Sequence, residues 1–113
     1  MEINWNELTL EEVSEGIFDC PHSTPELSAF GPIMVRTQDI RKGFLDTSNA
    51  VYVNEQVYLE RTKRIQPKVG DILFSREGTY FGDAAEIPPN TRVCLGQRMV
   101  LIRPNLMIID QVI

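Results

Sequence analysis

The sequence predicts an α/β (α+β) domain, a mostly β core carrying one principal helix, and three observations predict it. Residues 71–76, DILFSR, set Ile72 and Phe74 on one side and Leu73 and Ser75 on the other. A strand there has two partly apolar faces and belongs inside a sheet. Residues 99–103, MVLIR, place four apolar residues in succession before Pro104, the pattern of a strand covered on both sides and stopped by a residue without an N–H. Asn54 is placed to cap a helix running through Val57, Tyr58 and Arg61 to about Arg64, with Pro67 beyond its end.

The opening WNELTLEEV, with apolar residues at Trp5, Leu8, Leu10 and Val13, is neither strictly alternating nor cleanly helical. Residues 16–32, GIFDCPHSTPELSAFGP, read as a long loop with local order. Pro21, Pro25 and Pro32 restrict their own φ and drive the residues before them out of helical space. A short strand is expected at 33–36, IMVR, and a turn at 39–43, before the helix. After the strand at 71–76, the loop 77–83 (EGTYFGD) turns the chain into a short strand through Ala84, Ala85 and Ile87. Pro88 and Pro89 close that hairpin-like unit. The chain shows no internal repeat and no low-complexity segment.

A length of 113 residues is one domain's worth of chain. With 42% hydrophobic and 24% charged residues, neither a disordered tail nor a membrane protein is the expectation. No run approaches the roughly 18 to 20 apolar residues of a spanning helix, and the start is acidic rather than basic and then apolar, unlike a secretory signal. A cytoplasmic protein is expected, with Cys20 and Cys94 as two thiols rather than a disulfide.

The net charge of −5 argues at first against a nucleic-acid partner. Its distribution changes that. Residues 1–30 hold seven acids and no Lys or Arg, and the remaining 83 hold 11 basic against 9 acidic residues, a net of +2. Arg61, Lys63, Arg64 and Lys68 fall in RTKRIQPK without an acid between them. The plainer account of that run is a solvated helix end, where cations also suit the negative end of the helix dipole.

Catalytic and metal chemistry find little support. Cys20, His22 and Cys94 are the whole Cys/His inventory, one ligand short of a structural zinc site. Cys20 and His22 as a thiolate and its base would also need an orienting group and an oxyanion site, and the acidic loop favours imidazolium. Gln66-Pro67-Lys68 after Asp39 or Asp46 is the nearest approach to a metal-dependent nuclease, but the proline interrupts the strand that would carry the lysine. Gly78 to Gly82 as a phosphate cradle is opposed by Glu77 and Asp83, and no Walker lysine follows. No catalytic residue, metal or cofactor is therefore expected. For DNA the chemistry is better: arginine reads guanine and glutamine reads adenine bidentately. Arg36 with Gln38, and Gln97 with Arg98, sit where expected strands meet loops.

The ordered string of features resembles the target recognition domain of type I restriction-modification specificity subunits. Residues 5–13, WNELTLEEV, are similar to the opening of such subunits, and Gly31-Pro32-Ile33 followed by Arg36-Thr37-Gln38-Asp39-Ile40 resembles their glycine-isoleucine strand and aspartate-isoleucine turn. The most specific part is residues 70–104, GDILFSREGTYFGDAAEIPPNTRVCLGQRMVLIRP.

The resemblance implies a non-catalytic module that reads a few base pairs of a split DNA target. It positions a methyltransferase (modification) subunit and a restriction subunit on double-stranded DNA. It also implies that residues 1–113 form a single partial domain, because such domains continue further. Here that domain comprises an acidic segment 1–30, a core 31–104 and an apolar tail 105–113 expected to drive self-association. On loop position and side-chain chemistry, Arg36, Gln38, Arg76, Thr79, Tyr80, Gln97 and Arg98 are the candidate base or backbone readers. Arg61, Lys63, Arg64 and Lys68 are the candidate phosphate contacts, and four such contacts imply that affinity falls roughly 150-fold between about 50 and 200 mM salt. The alternative is a truncated remnant that acts through protein–protein binding without reading DNA. An RNA-binding β module would need stacking aromatics, and Tyr52, Tyr58, Tyr80 and Phe81 show no such platform.

Overall fold

In IMV (33–35) and again in VCL (93–95), successive side chains leave the strand on opposite sides, and both sides are apolar. The computed structural model, which describes residues 14–41, 43–76 and 83–104, shows what covers them. Its elements are β1 (Ser14–Asp19), β2 (Ser28–Val35), a 3-10 turn (Thr37–Asp39), β3 (Ile40–Arg41), β4 (Phe44–Leu45), β5 (Val51–Tyr52), α1 (Glu55–Arg61), β6 (Ile72–Ser75), β7 (Ala84–Glu86), β8 (Val93–Leu95) and β9 (Met99–Pro104). The domain is thus mixed α and β, mostly strands, with one α-helix among the described residues.

A four-stranded antiparallel sheet runs in the order β1-β9-β6-β7, and a three-stranded sheet runs β5-β2-β8. In the second sheet β2 pairs antiparallel with β5 and parallel with β8. Val35, Val93 and Leu95 join Leu73, Ala85, Met99 and Leu101 in the main core, between the two sheets. Met34 and Cys94 point the other way and pack with Val53 and Tyr58 in a second core under α1. The three-stranded sheet is therefore the middle layer, which is why β8 is buried at all three positions.

The interior placement of β6 and β9 agrees with their patterns: each has a neighbour on both sides, and Met99 to Ile102 are all buried. Register lines up Phe18, Leu101, Leu73 and Ala85 across the four strands on the core face. The β6–β7 hairpin and the helix cap also follow the expectation, with Asn54 Oδ1 accepting the Val57 N–H at 2.8 Å. Both cysteines are buried thiols, one in each core. No helix among the described residues is long and apolar enough to cross a membrane.

Four expectations need correction. Residues 16–32 are not a loop throughout, because residues 14–19 find a partner in β9, with Phe18 opposite Leu101 and Asp19 opposite Val100. The strand expected at 33–36 begins earlier, at Ser28, with a register break between Ser28 and Ile33. Gly31, at φ 130°, permits the break, since a Cβ there would lie 2.2 Å from the Val53 carbonyl oxygen. The turn at 39–43 is a small hairpin of β3 and β4 that reverses at Gly43, φ 88°. The helix stops at Arg61 rather than near Arg64, with Thr62 Oγ1 donating back to the Tyr58 carbonyl at 2.8 Å. The opening strip 5–13, the loop 77–82 and the tail 105–113 lie outside the described residues.

Candidate nucleic-acid interface

Strand direction decides which side chains meet. Because β2 and β8 run parallel, Val35 and Leu95 end at the same pole. The chain turns there into β9, and β6 and β1 also end there, with Ser75 opposite Met99 and Asp19 opposite Val100. Residues far apart in sequence, Asp19 to Thr24, Arg76 and Gly96 to Arg98, are gathered by this topology alone.

The turn 96–98 is held from three directions. The Gly96 N–H donates to the Val35 carbonyl at 2.8 Å, and a Cβ on Gly96 would come 2.6 Å from that same oxygen, so the approach requires glycine. Gln97 Nε2 donates to Thr24 Oγ1 at 2.8 Å. The Arg98 carbonyl accepts the Arg76 N–H at 2.8 Å, and Arg98 itself has φ 68°, in the left-handed region. Arg76 Nη1 donates to Asp19 Oδ1 at 2.6 Å, and Asp19 Oδ2 lies 4.0 Å from His22 Nε2. Burial pushes the Asp19 carboxyl up, but the bonds from Arg76 and from the Cys20 N–H outweigh it and hold the group below the usual carboxylate range.

Two adjoining concavities open at this pole. The smaller, about 220 Å³, is lined by Cys20, His22, Arg76, Gln97 and Arg98. The larger, about 340 Å³, shares Cys20 and His22 and adds Arg61 and Arg64 over an apolar floor that includes Leu95 and Leu101. The pole's main chemical capacity is to donate hydrogen bonds to an anion through guanidinium, amide and imidazole groups. Burial in the second core pushes the Cys94 thiol up to about 11 despite the Arg61 guanidinium beside it. No group of three or more His, Cys, Asp or Glu residues that could hold a metal occurs among the described residues.

The other sequence-derived candidates fall elsewhere. Arg36 is a brace: Nε and Nη2 donate to the buried Asp39 carboxylate at 3.1 and 2.9 Å, and Nη2 also reaches the Asn49 carbonyl at 2.7 Å. Gln38 is exposed nearby, and its carbonyl accepts from Arg41. The run 61–68 does not act as one patch. Arg61 pins two segments together, donating to the Ser23 carbonyl at 2.8 Å and the Leu95 carbonyl at 2.7 Å. Lys63 pairs with Glu60 at 3.2 Å, and the Arg64 guanidinium lies 5.8 Å from the Phe18 ring centroid. Lys68 precedes Asp71 at the opposite end of β6, roughly 17 Å of strand from Arg76. Thr79 and Tyr80 lie outside the described residues.

Sequence reasoning missed Asp19, His22 and Thr24 as members of the pole. Pro21 and Pro25 mark a fixed segment, yet nothing local connects it to Gln97. A wider depression, about 720 Å³, lies along β2 and β5 among the described residues; its Arg92 is bound to Glu55 at 2.5 Å and stacked on Tyr58. No family model matches the chain, and no curated protein matches it.

Proposed function

We propose that this chain is a DNA target recognition module of the type I specificity class, non-catalytic, which reads part of a double-stranded target and positions modification and restriction subunits. The observation that supports it best is the gathering of Arg76, Gln97 and Arg98 on rigid strand ends at one pole, within the segment 70–104 that carries the resemblance. Loops anchored to a scaffold are where reading side chains sit, and arginine and glutamine are the side chains that read purines. In this reading Arg36 and Arg61 are positioning residues, Lys63 and Arg64 contact phosphates, and Lys68 contributes nothing.

Fluorescence anisotropy against a randomised duplex and a matched RNA tests it. Duplex binding is expected with an enriched short sequence, and two phosphate contacts imply a loss of roughly 12-fold between about 50 and 200 mM salt. A flat salt response, or equal binding of the RNA, overturns the reading. Co-purification with a modification subunit without duplex binding moves it to protein–protein association.

A further inference from the structure

Strand β2 is interrupted where it meets β5. Ser28 and Ile33 both lie opposite Tyr52, so residues 29–32 have no place in the ladder and leave the sheet as a bulge. Ala29, Phe30 and Gly31 are exposed, and Pro32 is buried. Phe30 is 80% exposed, the most exposed of the large hydrophobic side chains among the described residues. The bulge is pinned from behind. The Pro32 carbonyl accepts the Val53 N–H at 2.9 Å, and Gly31 comes so close that a Cβ there would lie 2.2 Å from the Val53 carbonyl oxygen.

Beside this ring is the hollow of about 720 Å³, whose walls include Phe30 itself, Pro32, Ile33 and Tyr52. Pockets that hold whole small molecules span roughly 300–1,000 Å³, so the hollow has room for an aromatic side chain. Its two charged residues, Glu55 and Arg92, are bound to each other at 2.5 Å, yet their side chains are 58% and 51% exposed. Each keeps hydrogen-bonding capacity that water now fills. One patch therefore carries a protruding ring, a cavity able to receive a ring, and one charge of each sign.

We infer that this patch is a self-association surface. Two copies of the chain pair about a two-fold axis, each placing its Phe30 ring in the other's hollow against Tyr52, with Arg92 facing the partner's Glu55. A two-fold contact joins one patch to itself, so knob, hole and opposite charges must all lie on the same surface, and here they do. Withdrawing the ring from water supplies the driving force, and aromatic side chains are enriched in interfaces of this kind. Nucleic acid is the competing occupant, with Phe30 as a wedge between base steps. The charges of the hollow cancel, however, and give none of the cation excess that a phosphate backbone calls for. None of Asp19, His22, Arg76, Gln97 and Arg98 lines the hollow, so the surface is distinct from the proposed reading pole, and it is also distinct from the apolar run 105–113.

Sedimentation velocity of the full chain over a concentration series tests this, comparing the parent with Phe30→Ser, Glu55→Arg and Arg92→Glu. Urea midpoints of the monomers report folding, and duplex anisotropy at monomeric concentration reports nucleic-acid contacts. The parent is expected to pass from monomer to dimer below about 1 mM. Phe30→Ser removes a ring from both halves of the contact and is expected to raise the dissociation constant by at least about 30-fold, the effect of one interface hot spot. Its monomer should keep the parent's urea midpoint, because the ring stands in water. Glu55→Arg and Arg92→Glu each set like charges across the axis and are expected to stay monomeric over the same range. Mixed in equal amounts, the two charge variants restore opposite charges between copies, and a heterodimer is expected to form.

A parent that stays monomeric at about 1 mM overturns the inference. A dimer that Phe30→Ser leaves unchanged forms through another surface, such as residues 105–113, and overturns it as well, as does a mixture of folded charge variants that stays monomeric. Arg92→Glu also gives up the stack on Tyr58. Should that variant fail to fold, Phe30→Ser and Glu55→Arg decide by themselves, since both replaced side chains are exposed. If Phe30→Ser leaves the mass unchanged but weakens duplex binding, the ring belongs to a nucleic-acid contact and self-association through this patch is rejected.

Discussion

The two ends of β6 carry the same pair of residue types and use them differently. At the start, Asp71 takes Arg103 in a two-pronged clasp, Nε to Oδ1 at 2.9 Å and Nη2 to Oδ2 at 2.7 Å, and also accepts the Lys68 N–H at 3.0 Å. Arg103 Nη2 adds the Gln66 carbonyl at 3.0 Å. At the other end, Arg76 reaches Asp19 through Nη1 at 2.6 Å, and the two side chains are 40% and 39% exposed, against 17% and 2% for Arg103 and Asp71. Burial and fork geometry turn the first pair into a lock, because a charge left there without its partner has no water to turn to. The second pair stays wet, beside an exposed histidine and a turn held in the left-handed region. One end of the strand holds a buried ion pair, and the other holds an ion pair that stays partly in solvent.

Removing the lock should have the largest effect. Asp71→Ala leaves Arg103 mostly buried without its carboxylate and is expected to cost about 3–5 kcal/mol in urea denaturation, with duplex affinity per folded molecule unchanged. A loss of affinity in molecules that remain folded would erase the distinction between the two ends. Arg61→Ala comes next, since it releases the segment 20–24 from β8. Two bonds from a charged donor to carbonyls imply about 1–3 kcal/mol, and here a fall in duplex affinity should accompany the loss because His22 and Thr24 are no longer held against Gln97.

Dependence on pH separates the ends further. The depressed Asp19 carboxyl contributes stability that is present above its unfolded value, near 3.8, and lost as pH falls through the lower folded value. Asp19→Asn should flatten that acid limb, by little because the pair is solvated. The Cys94 thiol acts in the opposite direction. Raised to about 11, it favours the fold at neutral pH and withdraws that support as pH climbs towards 11, a slope that Cys94→Ala should remove.

The smallest effects are on exposed lysines. Lys63→Ala and Lys68→Ala should each change stability by less than about 0.5 kcal/mol. Lys63→Ala alone should weaken duplex binding, and an equal loss from Lys68→Ala would show that DNA spans both ends of β6.

The sequence by itself determined the elements whose pattern extends over several residues. The alternation in DILFSR and the unbroken apolar run in MVLIR reported side-chain direction and burial, which are local properties of a strand. Asn54 reported the start of α1 through a bond three residues long. It did not reveal β5 or β8, because two or three residues carry no periodicity, and it left β1 in a loop because that strand exists only through its partner β9.

The dispersal of residues 61–68 was half legible, since Arg61 stands three positions after Tyr58 on the same helix face and follows it towards the core. Its bonds to Ser23 and Leu95 were not. Which ends of which strands share a pole depends on pairing direction, parallel for β2 with β8 and antiparallel for β6 with β9. Hydrogen bonds between distant segments set those directions. That is why the gathering of Asp19, His22, Arg76, Gln97 and Arg98 was decided only when the chain had folded.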